Sequence, residues 1–244
     1  MNRQGPKIAV GIPLYGYLPA LVAWKNYGLL IQWTVQRDMH VLLGSENCYL
    51  PWARRDIVND ALDAGCTHLF FYDQDVIVPA DTIRRLYAWQ KPIVGALYYQ
   101  KVQGHAPVAG NFDDNDLGWS PLPVIKDTLQ RVDVVGMGAT LIDLDVFRKL
   151  EAAHRFLHNL GDNEPSEQHG MGWFDMNART GEDIEFCRRA AHAGYKIYVD
   201  PTIETLHVGA TPISRRYYAP APVSLVPTPP TQDQPDTVPP FQPS

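Results

Sequence analysis

The chain has 244 residues, a net charge of -6, 45% hydrophobic and 20% charged residues. That length supports one stable core. The acidic balance speaks against a dedicated nucleic-acid binder, which would carry a basic face, and an anionic substrate would need a local cation such as a metal.

Three cysteines, Cys48, Cys66 and Cys187, are odd in number and far apart. They fit a reducing compartment better than a zinc site or a disulfide framework. No apolar signal region follows the N-terminal residues, and no stretch approaches the roughly 18 apolar residues of a membrane span. The expectation is a soluble cytoplasmic protein.

Residues 7–13 read as a first strand, broken after Pro13 by Gly16 and Pro19. Residues 21–33 are apolar and aromatic and predict a helix whose residues mostly pack in a core. Residues 39–43 read as a second strand. Residues 53–64 place Ile57, Ala61 and Leu62 on one face before Gly65, the pattern of an amphipathic helix with a glycine stop. Arg54 and Arg55 open that helix, the wrong end for cations. Either one of them faces an anion or both are solvated.

An apolar run, residues 69–72, then climbs to Asp73, Gln74 and Asp75. Its residue types are those of a buried strand, and two acids at its end are costly to bury without a cation or strong hydrogen bonds. In open α/β sheets ligands bind just outside the carboxyl ends of strands. Two readings follow: a divalent metal held for a phosphate-bearing ligand, or the start of a turn or helix.

Residues 80–90 predict a helix with Ile83, Leu86 and Tyr87 inward, and residues 92–99 a strand. Asp113, Asp114 and Asp116 read as a solvated turn. Residues 132–142 predict a strand interrupted at Gly136, Met137 and Gly138, small residues that let a ligand or another backbone approach. Residues 146–153 predict a helix with Asp145 as its N-cap, which also accounts for Asp143 and Asp145. Residues 154–180 lack a period and are long enough for a functional loop such as a lid.

Residues 181–193 predict a helix opened by Glu182 and Asp183. An acid there can take a proton from a hydroxyl, but Thr180 to Asp183 also fits a capping box, the simpler account of Asp183 alone. Residues 195–199 predict a strand. His207 lies among apolar residues, where a histidine is usually part of a core. As a ligand it would turn an oxygen-rich site toward manganese-like ions.

From Ala219 prolines crowd the chain, and residues 219–244 are expected to form a disordered or extended tail beyond a single domain of residues 1–218. Strand–helix alternation implies an α/β fold, a mostly parallel twisted sheet with helices on both faces.

Taken in order, Ile12 and Pro13, Ala53 and Arg54, the run from Phe70 to Val76, Pro92 to Gly95 with Tyr98 and Lys101, Val135 to Ala139, Gly181 to Cys187, Gly194 and Tyr195, and His207 to Gly209 resemble a glycosyltransferase of the GT-A, family-2-like group. The resemblance spans roughly residues 7 to 210; Arg55 departs from the asparagine many relatives carry. It implies a Mn2+ (or Mg2+) ion on Asp75 and His207, with Asp73 at the ribose or a metal-bound water and Gln74 beside it. The ion would bridge the diphosphate of a nucleoside-diphosphate sugar, expected to be UDP-linked. Pro13 would border the base, Arg54 would help bind nucleotide or phosphate, and Gly136, Met137 and Gly138 would admit the sugar. Asp183, beside Glu182, would be the general base of an inverting transfer. Trp173 and Phe174 would form a sugar platform or belong to the core. The acceptor stays open among a glycan, a protein, a small molecule and a modified DNA base. A nucleotidyltransferase and a non-catalytic nucleotide-sugar-binding module are the alternatives.

Overall fold

The computed structural model describes residues 5–46, 49–102, 104–114, 118–158, 172–176, 179–209 and 212–213. The Pro-rich tail, Cys48, Asp116 and most of the expected lid segment lie outside them. In chain order the elements are β1 (Ile8–Pro13), α1 (Ala20–Gln36), β2 (Val41–Ser45), α2 (Leu50–Asp63), β3 (His68–Tyr72), β4 (Val76–Ile77), α3 (Thr82–Ala88), β5 (Ile93–Ala96), β6 (Ala109–Phe112), β7 (Trp119–Pro121), β8 (Gln130–Val132), β9 (Val134–Val135), β10 (Ala139–Asp143), α4 (Leu144–His158), α5 (Glu182–His192), β11 (Ile197–Asp200), β12 (Leu206–Val208) and β13 (Pro212–Ile213).

Seven strands form the central sheet in the order β2-β1-β3-β10-β5-β11-β8. β2, β1, β3, β5 and β11 run one way, while β10 and β8 oppose them. The mostly parallel sheet expected from strand–helix alternation is present. Small sheets β13-β12-β4 and β7-β6-β9 flank it.

Side chains alternate along each strand and so divide between two cores. Ile8, Val10, Ile12, Phe70, Tyr72, Val94, Ala96 and Leu141 pack with Trp33 of α1 and Ile83 and Leu86 of α3. Ala9, Leu69, Phe71, Ile93, Ile142 and Ile197 pack with Ile57, Val58 and Ala61 of α2, Phe147 of α4 and Phe186 of α5. Helices therefore cover both faces. Gly11 is required where α2 crosses β1, since a Cβ there would lie 2.3 Å from Ile57 Cγ2.

Three expectations are corrected. Residues 132–142 are not one interrupted strand: β8, β9 and β10 are separate and belong to two sheets. α4 runs to His158, and its start is capped by Asp143, whose Oδ1 accepts the Asp145 N–H at 2.9 Å. Asp145 instead pairs with Arg148. Finally, most of α1 is not core. Val22, Asn26 and Trp33 are buried, but Leu21, Trp24, Tyr27, Ile31 and Val35 are exposed. Only one stripe of the helix meets the sheet, where Trp33 packs edge-on to Phe70 and Tyr72 and donates from Nε1 to the Ala80 carbonyl at 2.7 Å.

These two faces of one helix should separate in denaturation. Trp33→Ala is expected to cost about 3–5 kcal/mol, the range for a fully buried aromatic. Trp24→Ala is expected to stay within about 0.5 kcal/mol. Urea unfolding of both variants measures the contrast.

Candidate active site at the carboxyl edge of the sheet

Because β10 opposes β3, its first residue, Ala139, lies across from Tyr72, the last residue of β3. The segment before β10 is thereby brought over the carboxyl end of β3, where Asp73 N–H donates to the Gly138 carbonyl at 3.0 Å. The chain then turns, with Val76 N–H on the Asp73 carbonyl at 3.0 Å. Gln74, at the turn's apex, fastens its neighbours. Its carbonyl accepts from Asn26 Nδ2 at 2.6 Å, and its side chain exchanges two hydrogen bonds with the Tyr15 backbone. Asn26 in turn accepts from the Tyr72 hydroxyl at 2.8 Å.

Arg54 is the surprise of the site. Its side chain is 2% exposed. Nη2 donates to both oxygens of Asp73 at 3.1 and 3.3 Å, Nε donates to Glu182 Oε1 at 3.1 Å, and the guanidinium lies over the Phe71 ring at 5.2 Å. Burial opposes its charge, but Asp73, Glu182 and Asp183 more than offset this and hold its pKa above the ordinary value. α2 starts at Leu50, so Arg54 and Arg55 stand past its first turn and not at the helix start expected for them, and the anion Arg54 faces is the protein's own pair of carboxylates. Arg55 pairs with Asp56 at 2.9 Å.

Asp75 faces the other way. β12 pairs antiparallel with β4, placing His207 opposite Val76, and Val208 N–H donates to the Asp75 carbonyl at 2.7 Å. His207 Nε2 lies 3.6 Å from Asp75 Oδ1, while Nδ1 is 2.7 Å from the Tyr99 carbonyl. A carbonyl only accepts, so Nδ1 carries a proton. In the neutral ring Nε2 would carry the lone pair a metal ligand needs, an arrangement that suits the facing carboxylate only with a cation between them. Lys101 Nζ pairs with Asp75 Oδ2. Burial opposes ionisation of Asp75, but His207 and Lys101 outweigh it and hold the carboxyl at about 2.

These positions can be tested against a divalent ion. Two ligands about 2.1 Å from one ion sit ~3 to 3.5 Å apart, so Asp75 Oδ1 and His207 Nε2 fit with a small inward shift. Asp73 is turned onto Arg54. Among the described residues no three His, Cys, Asp or Glu side chains form a group that would hold a metal. The remaining coordination positions would therefore fall to ligand oxygens and water, as is usual where substrate phosphates share the ion.

At the start of α5 the two acids have different surroundings. Glu182 is buried and committed to Arg54. Asp183 accepts only its neighbour Ile184 N–H, at 2.8 Å, among the hydrogen bonds of its side chain described here. Burial and then the adjacent Glu182 push its carboxyl up to about 7, against Arg54 and that N–H. The capping box is not formed: Gly181 is the N-cap without a side-chain bond, and Thr180 donates to Glu185.

Other predicted positions have structural duties. A Cβ on Gly136 would lie 2.1 Å from the Tyr98 hydroxyl, and one on Gly138 3.0 Å from Tyr98 Cζ and 3.2 Å from Asp73 Oδ2. The room these glycines leave is taken by Tyr98, whose hydroxyl accepts Gly138 N–H at 3.2 Å, and Met137 is fully buried. Trp173 and Phe174 belong to the core with Phe147 and Phe186, so the platform reading is corrected. Pro13 is buried at the end of β1, with exposed Leu14, Tyr15 and Tyr17 just beyond. Sequence reasoning gave no role to Lys101, Asn26 or Tyr98. A polar residue inside the apolar α1 was the one signal for Asn26.

A cavity of about 250 Å³ lies at the opposite edge, lined by His68, Lys91 and Asp143 among others, away from the acids above. No family model and no curated protein matches the sequence. The structure is similar to A197 from STIV at 17% identity and TM-score 0.51, covering 83% of this chain and 86% of that one. It is also similar to GalNAc-T7 solved with UDP, GalNAc and Mn2+ (14% identity, TM-score 0.49, 85% of this chain and 45% of that one). A third neighbour is a glycosyltransferase involved in the glycosylation of the major capsid of PBCV-1 (15%, 0.35, 67% and 72%). At the level of fold the protein is thus an α/β domain shared with A197 from STIV. No helix among the described residues is long and apolar enough to cross a membrane.

Removing Arg54 strands two buried carboxylates. Arg54→Met is expected to destabilise by about 3–5 kcal/mol, with the loss shrinking at acid pH, measured by urea titration at pH 5 and 8. Asp183 has the opposite sign. Its folded pKa lies above the ordinary 3.8, so the folded chain holds the proton more tightly and ionisation opposes folding between pH 4 and 7. Asp183→Asn is therefore expected to match the parent's melting temperature near pH 4 and exceed it at pH 8.

Proposed function

We propose that the chain is a metal-dependent glycosyltransferase that moves a sugar from a nucleoside-diphosphate sugar, UDP-linked, to an acceptor hydroxyl with inversion. The observation that carries this reading is the approach of His207 Nε2 to Asp75 Oδ1 at 3.6 Å at the carboxyl edge of the sheet, with Nδ1 held on the Tyr99 carbonyl. Asp75 and His207 would hold Mn2+ (or Mg2+), which when bound supplies positive charge where the leaving diphosphate gains negative charge.

The rest of the chemistry falls to side chains. Asp183 removes the acceptor's hydroxyl proton as that oxygen attacks the anomeric carbon. The new carbon–oxygen bond forms as the bond to the phosphate oxygen breaks, and its electron pair leaves with the nucleoside diphosphate. A carboxyl held near 7 is matched to this task, since it is ionised in use and basic enough to accept a proton. Glu182 beside it is engaged by Arg54 Nε at 3.1 Å. Arg54 positions Asp73 and Glu182 through Nη2 and Nε, while its buried Nη1 has no hydrogen-bond partner among the described residues and is left as a hydrogen-bond donor for the sugar donor's phosphate. Pro13 and the exposed tyrosines after it border the nucleoside, tied to Gln74 by the Tyr15 backbone.

Manganese-dependent UDP binding, read by calorimetry, and transfer assayed across UDP-, GDP- and dTDP-sugars test the reading. Asp75→Ala is expected to lose metal-dependent UDP binding. Asp183→Asn is expected to keep it while transfer falls by about 10²- to 10⁴-fold, the contribution of a general base. In the parent, transfer rises with pH through about 7 as Asp183 ionises. Unchanged manganese-dependent UDP affinity in Asp75→Ala would sink the metal role.

A further inference from the structure

We propose that Lys101 is an exchangeable counter-ion. Its ammonium occupies Asp75 while no divalent cation is bound, and it transfers to the donor's diphosphate when cation and nucleotide arrive. The inference rests on the glycosyltransferase reading above and adds a coupling between the two ligands.

The two oxygens of Asp75 are divided. Oδ2 pairs with Lys101 Nζ, and Oδ1 faces His207 Nε2 at 3.6 Å. An ion held by Asp75 and His207 would therefore share its carboxylate with an ammonium, and the two cations repel at such a distance. The side chains differ in their freedom to respond. His207 is pinned through Nδ1 to Tyr99, and Arg54 is buried in its fork of carboxylates. Lys101 is 35% exposed, and its stem runs beside Gly209, where an added Cβ would sit 3.4 Å from Cδ. A lysine carries a compact charge on a flexible stem with rotatable donors, so Nζ can swing while its backbone stays fixed. That backbone is held nearby by Gln100 N–H on the Ala106 carbonyl and Val108 N–H on the Tyr98 carbonyl, both under 3.0 Å.

Once displaced, the ammonium needs an anion. Asp73 is already paired with Arg54. The diphosphate of the donor brings new negative charge to this edge. Nucleotide binding thus draws Lys101 off Asp75 and frees the carboxylate for the ion. By linkage each ligand raises the other's affinity by the same factor.

The test is Mn2+ binding to the full chain without nucleotide, followed by spin resonance of the free ion, and repeated with UDP. In Lys101→Met, Mn2+ alone is expected to bind about fivefold tighter, the upper scale of a half-exposed ion pair, while UDP raises Mn2+ affinity less than in the parent. Lys101→Arg, which keeps the charge, is expected to stay near the parent. Unchanged or weaker Mn2+ affinity in Lys101→Met, with Asp75→Ala still abolishing Mn2+ binding, overturns the exchange and spares the metal site. If Asp75→Ala leaves Mn2+ binding intact, the metal reading fails and the exchange fails with it.

Discussion

The buried guanidinium of Arg54 is the constraint from which the rest of the site follows. It comes from the second turn of α2, sits over Phe71, and joins the carboxylate after β3 to the first acid of α5. Residues 54, 73 and 182 are remote in sequence, and one planar cation fixes their separation. A buried ion triad is not a strong source of stability, because desolvation offsets much of the attraction. What it supplies is geometry: two acids are neutralised in fixed places, and the acids next to them in sequence, Asp75 and Asp183, are left with other partners.

That division is made possible by the antiparallel strand inside the sheet, β10, as distinct from β8 at its edge. β10 enters the sheet between β3 and β5 running backwards, so the tight segment before it caps the carboxyl edge instead of leaving from it. Gly136 and Gly138 are small because Tyr98 passes beneath them, and Tyr98 begins the stretch that carries Tyr99 and Lys101. On the other side, the short pairing of β12 with β4 carries His207 to the turn. A parallel sheet alone would have delivered strand ends; the antiparallel additions deliver the groups that surround them.

How much of this was legible follows from the range of each interaction. Strands and helices were, because alternation and 3.6-residue spacing are local patterns. The pairs Asp73 with Asp75 and Glu182 with Asp183 were visible as acids at element ends. The partners were not. Nothing near Arg54 in sequence announces Glu182, and nothing near Asp75 announces Lys101, since those choices are made by sheet order. α1 shows the converse: its apolar residues read as core, yet only the stripe through Val22, Asn26 and Trp33 has a surface to meet. The glycines at 136 and 138 read as room for a ligand, whereas an aromatic hydroxyl of the same chain takes that room.

Four carboxylates at one edge therefore differ by partner rather than by type. Asp73 and Glu182 share the Arg54 guanidinium. Asp75 is held ionised by His207 and Lys101 despite its burial, the state required of a ligand to a hard cation. Asp183 is held protonated to near neutrality by burial and by Glu182, the state required of a base that must also release its proton afterwards. A single uniform acidic patch would titrate as a group and do neither. The proposed chemistry needs one carboxylate that never protonates and one that does so readily, and the buried arginine keeps the acid beside each of them engaged elsewhere.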